Sequence, residues 1–346
     1  MASMPEFSTS ATLRSKVLAL YAVLLPANVA AWLWAFILLH DRPLLLGAAA
    51  LAYGFGLRHA IDADHIAAID NVTRKLMQDG QRPVGVGLFF ALGHSSIVFA
   101  AAVLVAITAG ALQRIEGWKA IGGAVSTSIS AAFLIVIGVI NLTTLHALLR
   151  AWRGLRSGHL QPSSDALPIA TGLLARLLRP LFGVIRNSWH MVPLGILFGL
   201  GFETATEVSV MGLSASQASS GASLAVALVF PTLFATGMTL VDATDGVLMV
   251  GVYQWAFVDP RRKLVYNCAI TAISALIALV IAGIETAGLV VDWFDAGGVW
   301  RAAAGLAEQS NLLGVLIVAV FIACWLASVG LARARRAAKS PLTTEP

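Results

Sequence analysis

The sequence predicts an all-α, polytopic membrane protein with about eight transmembrane helices. Of its 346 residues, 58% are apolar and only 12% are charged, and the mean hydropathy is +0.83. Soluble domains average about 45–50% apolar and about 25% charged residues, so a soluble core does not account for this composition. The apolar residues also occur in blocks of about 20 or more, the length that a helix needs to cross about 30 Å of hydrocarbon.

Eight apolar stretches are long enough to cross a bilayer. They cover residues 17–39, 44–70, 84–110, 120–149, 188–214, 222–256, 264–291 and 311–332. We therefore divide the chain into an N-terminal segment, spans 1–4 with the candidate metal-recognition motifs, a linker, spans 5–8 and a tail. These parts cover residues 1–16, 17–149, 150–187, 188–332 and 333–346. The N-terminal segment, the linker and the tail are expected to be cytoplasmic.

The distribution of basic residues predicts this orientation. Of the 23 Lys and Arg residues, 18 lie on one side of the predicted spans, including both termini and the long linker. Short cytoplasmic loops carry such an excess, so both termini are predicted to be inside. We expect a multi-pass protein of the cytoplasmic membrane. The net charge of +5 then reflects orientation in lipid, and nucleic acid is not an expected partner.

Several other classes of protein are excluded. Two cysteines in apolar runs do not form a disulfide scaffold, and the apolar excess excludes disorder. The sequence has no GxxxxGK[ST] phosphate loop, so it requires neither P-loop hydrolysis nor an ATPase subunit. No prosthetic group is expected, and the sequence does not indicate an oligomeric state. Transport would run on a gradient or on a partner.

Span 2 concentrates ionisable residues where they are costly. Its segment GLRHAIDADHIAAIDNVTRK carries, within 13 residues, Arg58, His59, Asp62, Asp64, His65 and Asp70. A charge at the bilayer centre costs about 2.5 kcal/mol or more, so such residues are functional candidates. On a helical wheel His59, Asp62 and His65 form one stripe, but Asp64 lies near the opposite side. Either the helix is broken, or Asp64 serves a neighbouring helix.

These residue types indicate a transition-metal site. Imidazole and carboxylate ligands suit Ni(II), Co(II), Cu(II) or Zn(II). The candidate ligands are His59 and His65, together with His94 in the LGHS segment of span 3. Metal-bound histidines usually donate their second N–H to a carboxylate, a role open to the aspartates of span 2. The alternatives are a buried ion-pair network around Arg58, a proton relay without metal and, for His94, a hydrogen-bonded core residue.

Two further spans contain acidic pairs. Glu203 and Glu207 are four residues apart in span 5, and Asp242 and Asp245 are three apart in span 6, so each pair shares a helix face. Thr206 can form a hydrogen bond across helices. The pairs are expected to support the ligands, to couple protons or to attract cations. Pairing with backbone or with the arginine of span 2 is the alternative.

A short internal echo predicts an inverted repeat. FGL occurs at 55–57 and at 198–200, and ALGHSS at 91–96 is matched by ATGMTL at 235–240. In both pairs the two segments are separated by nearly the same number of residues. Spans 2 and 5 have opposite predicted topology, an arrangement that many secondary transporters use.

Together these motifs resemble the nickel/cobalt transporter family. The resemblance rests on RHAIDADHIAAIDNVTRK with its H-x4-DH core, on LGHS and on the paired acidic segments, in the family's order from about Ala22 to the last span. It implies an eight-span secondary permease that imports Ni(II) or Co(II), with the ion as substrate. His59, Asp64 and His65 would be the core recognition residues, and His94 matches the histidine of LGHS.

The resemblance also implies roles for other residues. Asn28 in span 1 occupies a position associated with metal selectivity, although from the residues alone it either joins helices or touches the substrate path. The remaining family motifs contain Glu203, Thr206, Glu207, Asp242 and Asp245. The span 5 motif usually reads FDTATE, and this chain has Glu203 in place of the aspartate, which leaves metal selectivity open.

Two other functions use the same ligands. An efflux permease would move the ion in the opposite direction. An intramembrane metalloenzyme would use two histidines and an aspartate for catalytic zinc, but H-x4-DH differs from HExxH, which places a general base between its ligands. The preferred metal is not predicted, because nickel outranks cobalt at most such ligand sets.

Overall fold

In a computed structural model, all regular secondary structure of the described residues is helical. The structure describes residues 6–108, 111–157, 185–200, 205–256, 260–309, 312–317, 319–320 and 323. The first half contains α1 (Glu6–Leu39), α2 (Pro43–His59), α3 (Ala63–Gln78), α4 (Val86–Ile107) and α5 (Ala111–Arg156). The second half contains α6 (Met191–Gly199), α7 (Ala205–Ser219), α8 (Leu224–Ala227), α9 (Val229–Ala256), α10 (Pro260–Phe294) and α11 (Val299–Ala304). Short 3₁₀ helices cover Ser188–His190 and Gly305–Gln309.

The described helices include several that are long and apolar enough to cross a membrane. Five such segments are Leu13–Leu39, Val86–Ile107, Ile121–Arg150, Leu224–Gly251 and Thr271–Phe294. The pair α2 and α3 makes a sixth if it is counted as one bent span. These six correspond to predicted spans 1–4, 6 and 7, as expected of a multi-pass membrane protein. Predicted span 5 corresponds to α6 and α7, on either side of residues 201–204, and much of predicted span 8 lies outside the described residues. The number eight therefore stays a prediction.

The surface of these helices is suited to lipid. Large apolar side chains such as Ile37, Leu44 and Leu276 are exposed on the long helices. In water such extensive apolar exposure would favour aggregation, whereas in a bilayer it faces hydrocarbon. The buried polar groups lie inside the helix bundle, where they can meet one another. The polar interior and the apolar exterior are thus separated, as expected of a helix bundle in a membrane.

Predicted span 2 is broken at its polar segment. The helix α2 ends at His59, and α3 begins at Ala63 with an axis bent by 51°. Asp62 adopts an extended conformation (φ −65°, ψ 145°), which ends one helix before the next begins. Of the two alternatives for span 2, the structure has the broken helix. The break places His59 at the end of one helix and His65 in the first turn of the next.

Glycines allow the helices around this break to approach each other closely. A Cβ atom on Gly56 of α2 would overlap the carbonyl oxygen of Phe234 in α9. A Cβ atom on Gly195 of α6 would likewise overlap the carbonyl oxygen of Phe90 in α4. Small residues at helix contacts in membranes permit this backbone approach. These two contacts hold α2 against α9 and α4 against α6, around one polar centre.

Candidate metal site

Three buried histidines meet at the centre of the bundle. His59 comes from the end of α2, His65 from the first turn of α3 and His94 from the middle of α4. One ring nitrogen of each lies within 4.8 Å of those of the other two, and all three residues are at most 3% exposed. Imidazole nitrogens at such separations can share one transition-metal ion. The structure therefore brings together all three histidines predicted as ligands.

The ring nitrogens of two of these histidines face each other directly. Nε2 of His59 lies 2.9 Å from Nε2 of His94, which in turn lies 3.0 Å from Oε1 of Glu207. The same Glu207 oxygen is 3.9 Å from Nε2 of His59. Glu207, from the first turn of α7, thus contributes an oxygen atom beside two imidazoles. The sequence predicted it only as a supporting residue, but its position also suits direct contact with an ion.

Two aspartates hold the outer nitrogens of the histidine rings. Nδ1 of His59 lies 3.4 Å from Oδ2 of Asp62, and Nδ1 of His65 lies 3.4 Å from both carboxylate oxygens of Asp242. When Nδ1–H donates to a carboxylate, the Nε2 lone pair is left available for a metal. Among the described residues, Nε2 of His65 has no hydrogen-bond partner. Both rings are therefore oriented as metal ligands are.

Aromatic side chains enclose the histidines. The ring of Phe90 lies 4.8 Å from that of His65 in an edge-to-face arrangement, and the ring of Phe234 lies 5.4 Å from that of His59. Both phenylalanines are fully buried. Such an apolar surround limits water and strengthens electrostatic interactions within the site.

The other predicted ligand, Asp64, lies outside this group of histidines. Its Oδ1 accepts a hydrogen bond of 2.9 Å from the backbone N–H of His65. Asp64 is in the first turn of α3, where a carboxylate is favoured by the helix dipole. The structure thus places it next to the candidate ligand His65, and direct metal contact by Asp64 stays a prediction.

Several other predicted residues have different surroundings. Asn28 is buried in α1, donates to the carbonyl of Leu24 and accepts a hydrogen bond of 3.0 Å from the hydroxyl of Tyr53 in α2. This contact joins α1 and α2, while contact with a substrate stays a prediction. Thr206 is buried next to Glu207. Glu203 lies outside the described residues.

Asp70 belongs to a second polar cluster, which we call the inner network. Its Oδ2 accepts a hydrogen bond of 2.9 Å from Ser274, and its Oδ1 accepts one from the hydroxyl of Tyr253. The Arg74 side chain donates to Thr271. Two asparagines, Asn71 and Asn141, complete the network. The inner network ties α3 to α5, α9 and α10.

Sequence reasoning did not identify the partners in this inner network. Tyr253, Ser274 and Asn141 are isolated polar residues in apolar spans, and the signal that could have revealed them is the need of a buried polar group for a partner. The buried cation of the inner network is Arg74. Arg58, on which the ion-pair alternative depended, is exposed near the end of α2.

Comparisons with known proteins agree with the motifs. A family model described as high-affinity nickel-transport protein, NicO, matches residues 45–331. The high-affinity nickel transport protein of Cupriavidus necator is 50% identical over 327 residues, which cover 93% of each chain. The nickel transporter NixA of Staphylococcus aureus is 45% identical, covering 83% of this chain and 86% of its own.

A cobalt transporter is also similar. The cobalt transport protein NhlF of Rhodococcus rhodochrous is 41% identical over 286 residues, which cover 81% of each chain. No solved structure gives a significant match. The similar proteins thus include transporters named for either metal.

Proposed function

This chain belongs to the NicO family of high-affinity nickel-transport proteins, and we propose that its three buried histidines bind the ion that it transports. The family and its named members are nickel or cobalt transporters, and the ion is substrate rather than prosthetic group. The observation that carries the proposal is the convergence of His59, His65 and His94, with ring nitrogens within 4.8 Å of one another. A structural core would not need three imidazoles at one point.

The separation of the two facing nitrogens is compatible with their binding one ion. Two nitrogens bound at about 2.0–2.1 Å lie about 2.9 Å apart at a right angle and about 3.3–3.4 Å apart at a tetrahedral angle. Nε2 of His59 and Nε2 of His94 are separated by 2.9 Å. This spacing is that of a hydrogen bond between the two rings, and an ion bound by both nitrogens at a right angle would keep them at the same separation. Glu207 and water would complete the coordination.

Import is the direction that we propose. If the termini are cytoplasmic, as the basic residues predict, an ion entering from outside moves down the membrane potential. An inside-negative potential favours a divalent cation by about 4.6 kcal/mol per 100 mV, from about 2.3 kcal/mol per charge. That term alone is enough to accumulate a trace metal without nucleotide hydrolysis.

An inverted repeat of eight spans supplies a means of alternating access. The glycine of the first FGL, Gly56, faces the backbone of α9, and that of the second, Gly199, faces the carbonyl of His94 in α4. In both echoed segments the glycine thus lies against the backbone of another helix, which supports the proposed repeat. Span 2 is divided into α2 and α3 by the 51° bend at its polar segment. A discontinuous helix at a central site is typical of transporters that rock between two states.

Radiotracer uptake tests the proposed function. Cells that express this chain are expected to accumulate ⁶³Ni(II) and ⁵⁷Co(II) above vector-only cells, each ion competing with the other and Zn(II) competing less. Cells preloaded with tracer are expected to retain it. Loss of preloaded metal would show efflux instead, and no movement in either direction by well-inserted protein would contradict transport by the chain alone.

The Asp242→Asn variant tests the orientation of His65. An amide cannot hold Nδ1–H as a carboxylate does, so Nε2 becomes a poorer ligand. We expect Ni(II) affinity of the purified chain to fall by about 10–100-fold, as for other partners of metal-bound histidines. Isothermal titration measures this change, with Asp295→Asn, in an exposed turn, as the control. Unchanged affinity in Asp242→Asn would contradict the assigned role.

A further inference from the structure

Asp245 is a buried carboxylate whose charge is unmatched. It is 8% exposed, and among the described residues neither of its oxygens has a hydrogen-bond partner. Removing a carboxylate from water without hydrogen bonds or a counterion is strongly unfavourable. If this position served only to pack the helices together, an apolar side chain would be more stable there. Asp245 therefore requires a positively charged ligand or a proton for at least part of the transport cycle.

Its position is one helical turn beyond the histidines. Asp242, which holds His65, precedes Asp245 by three residues on α9, or about 4.5 Å along the axis at about 1.5 Å per residue. Asp70 follows His65 by five residues on α3. Helices α3 and α9 pack together along this stretch. A Cβ atom added to Gly246 of α9 would lie 3.8 Å from the side chain of Ile69 in α3. Asp245 thus lies between the histidines and the inner network.

The neighbouring carboxylates are already engaged. Asp242 and Asp70 both act electrostatically on Asp245. However, the Asp242 oxygens face His65, while those of Asp70 accept hydrogen bonds from Tyr253 and Ser274. Of these three aspartates, Asp245 is the one whose carboxylate oxygens are available to an ion. The nearness of these two carboxylates favours a cation at Asp245 over an unmatched negative charge.

We propose that Asp245 is a second binding site for the transported divalent cation, between the three histidines and the inner network. This inference rests on the proposed function. An oxygen ligand holds Ni(II) or Co(II) less tightly than imidazoles do, which suits a site that must release its ion. In the present conformation Arg74 and its partners block the path beyond Asp245. The ion would therefore stay bound at Asp245 until the inner network opens.

Ni(II) titration of the purified full-length chain tests this second site. The wild type is expected to bind one ion tightly and a second at least about tenfold more weakly. Asp245→Asn, which keeps the shape and removes the charge, should lose the weaker ion, keep tight affinity within about twofold and lower ⁶³Ni(II) uptake at least about tenfold. Asp245→Glu should retain the second ion. The control Asp79→Asn, at an exposed carboxylate paired with Lys75, should behave as wild type.

The other outcomes are distinguishable. A second ion that persists in Asp245→Asn would overturn the proposal. If Asp245→Asn lost the tightly bound ion, Asp245 would be a support for the histidines. If the wild type bound a single ion and the variant lost the accompanying proton release, Asp245 would be a proton carrier. Either outcome would overturn the second site. By contrast, tight binding that is unaffected by His65→Ala would contradict the proposed function itself.

Discussion

Replacing His65 by alanine is expected to lower Ni(II) uptake by at least about 100-fold without removing the chain from the membrane. Loss of a hydrogen-bond partner of a ligand already costs about 10–100-fold in metal affinity, and loss of the ligand itself should cost more. The substitution also leaves Asp242 as a buried carboxylate without its imidazole partner. The measurement is initial ⁶³Ni(II) uptake, normalised to the amount of inserted protein.

A matched histidine supplies the control for this experiment. His40 is exposed after α1 and pairs at 3.2 Å with the exposed Asp41. His40→Ala should retain wild-type uptake, because an exposed ion pair contributes little to stability and His40 lies outside the three-histidine site. If His65→Ala transports as well as His40→Ala, the assignment of the histidine site is wrong. If both variants lose transport, the effect does not arise from metal ligation.

The second large effect is expected from a glycine. In Gly195→Ala, the added Cβ would meet the carbonyl of Phe90 and the backbone nitrogen of His94. The helices α4 and α6 must then move apart, which displaces His94 from His59. Overpacking of this kind typically costs about 1–3 kcal/mol of stability. We expect uptake to fall at least about tenfold and the thermal unfolding midpoint in detergent to decrease.

Gly54 provides the control for the glycine substitution. A Cβ atom on Gly54 of α2 meets no atom within 4 Å. Alanine has a higher helix propensity than glycine by about 1 kcal/mol, so Gly54→Ala should be neutral or stabilising, with full uptake. Equal behaviour of the two variants would show that close approach of α4 and α6 does not position His94.

Hydrophobicity and charge were sufficient to predict most of the fold. Six predicted spans have counterparts among the described helices because a membrane helix must satisfy its own backbone hydrogen bonds and bury about 20 apolar residues. For span 2 the sequence predicts either a broken helix or an Asp64 that serves a neighbouring helix. Helical periodicity detects that Asp64 does not fit the stripe, but it cannot say where the chain bends. The extended conformation of Asp62 decides that point.

The candidate site was predictable in its residue types more than in its geometry. His59, His65 and His94 were all identified because ionisable groups are costly in a membrane. Their mutual contact depends on glycines such as Gly195, whose significance becomes clear only when the opposing backbone is known. Similarly, Asp70 belonged to the same polar run as His65 but interacts with Tyr253, which is 183 residues away in sequence. No local pattern reveals such a pairing.

The most direct test of the central claim is X-ray absorption spectroscopy at the nickel edge on the purified, full-length chain loaded with one Ni(II). The account predicts imidazole scattering from three histidine ligands, with additional oxygen ligands, in a non-tetrahedral site. The same measurement on His65→Ala should show fewer imidazoles. A shell of oxygen ligands without imidazole, or a wild-type spectrum in His65→Ala, would contradict the claim that the three buried histidines hold the transported ion.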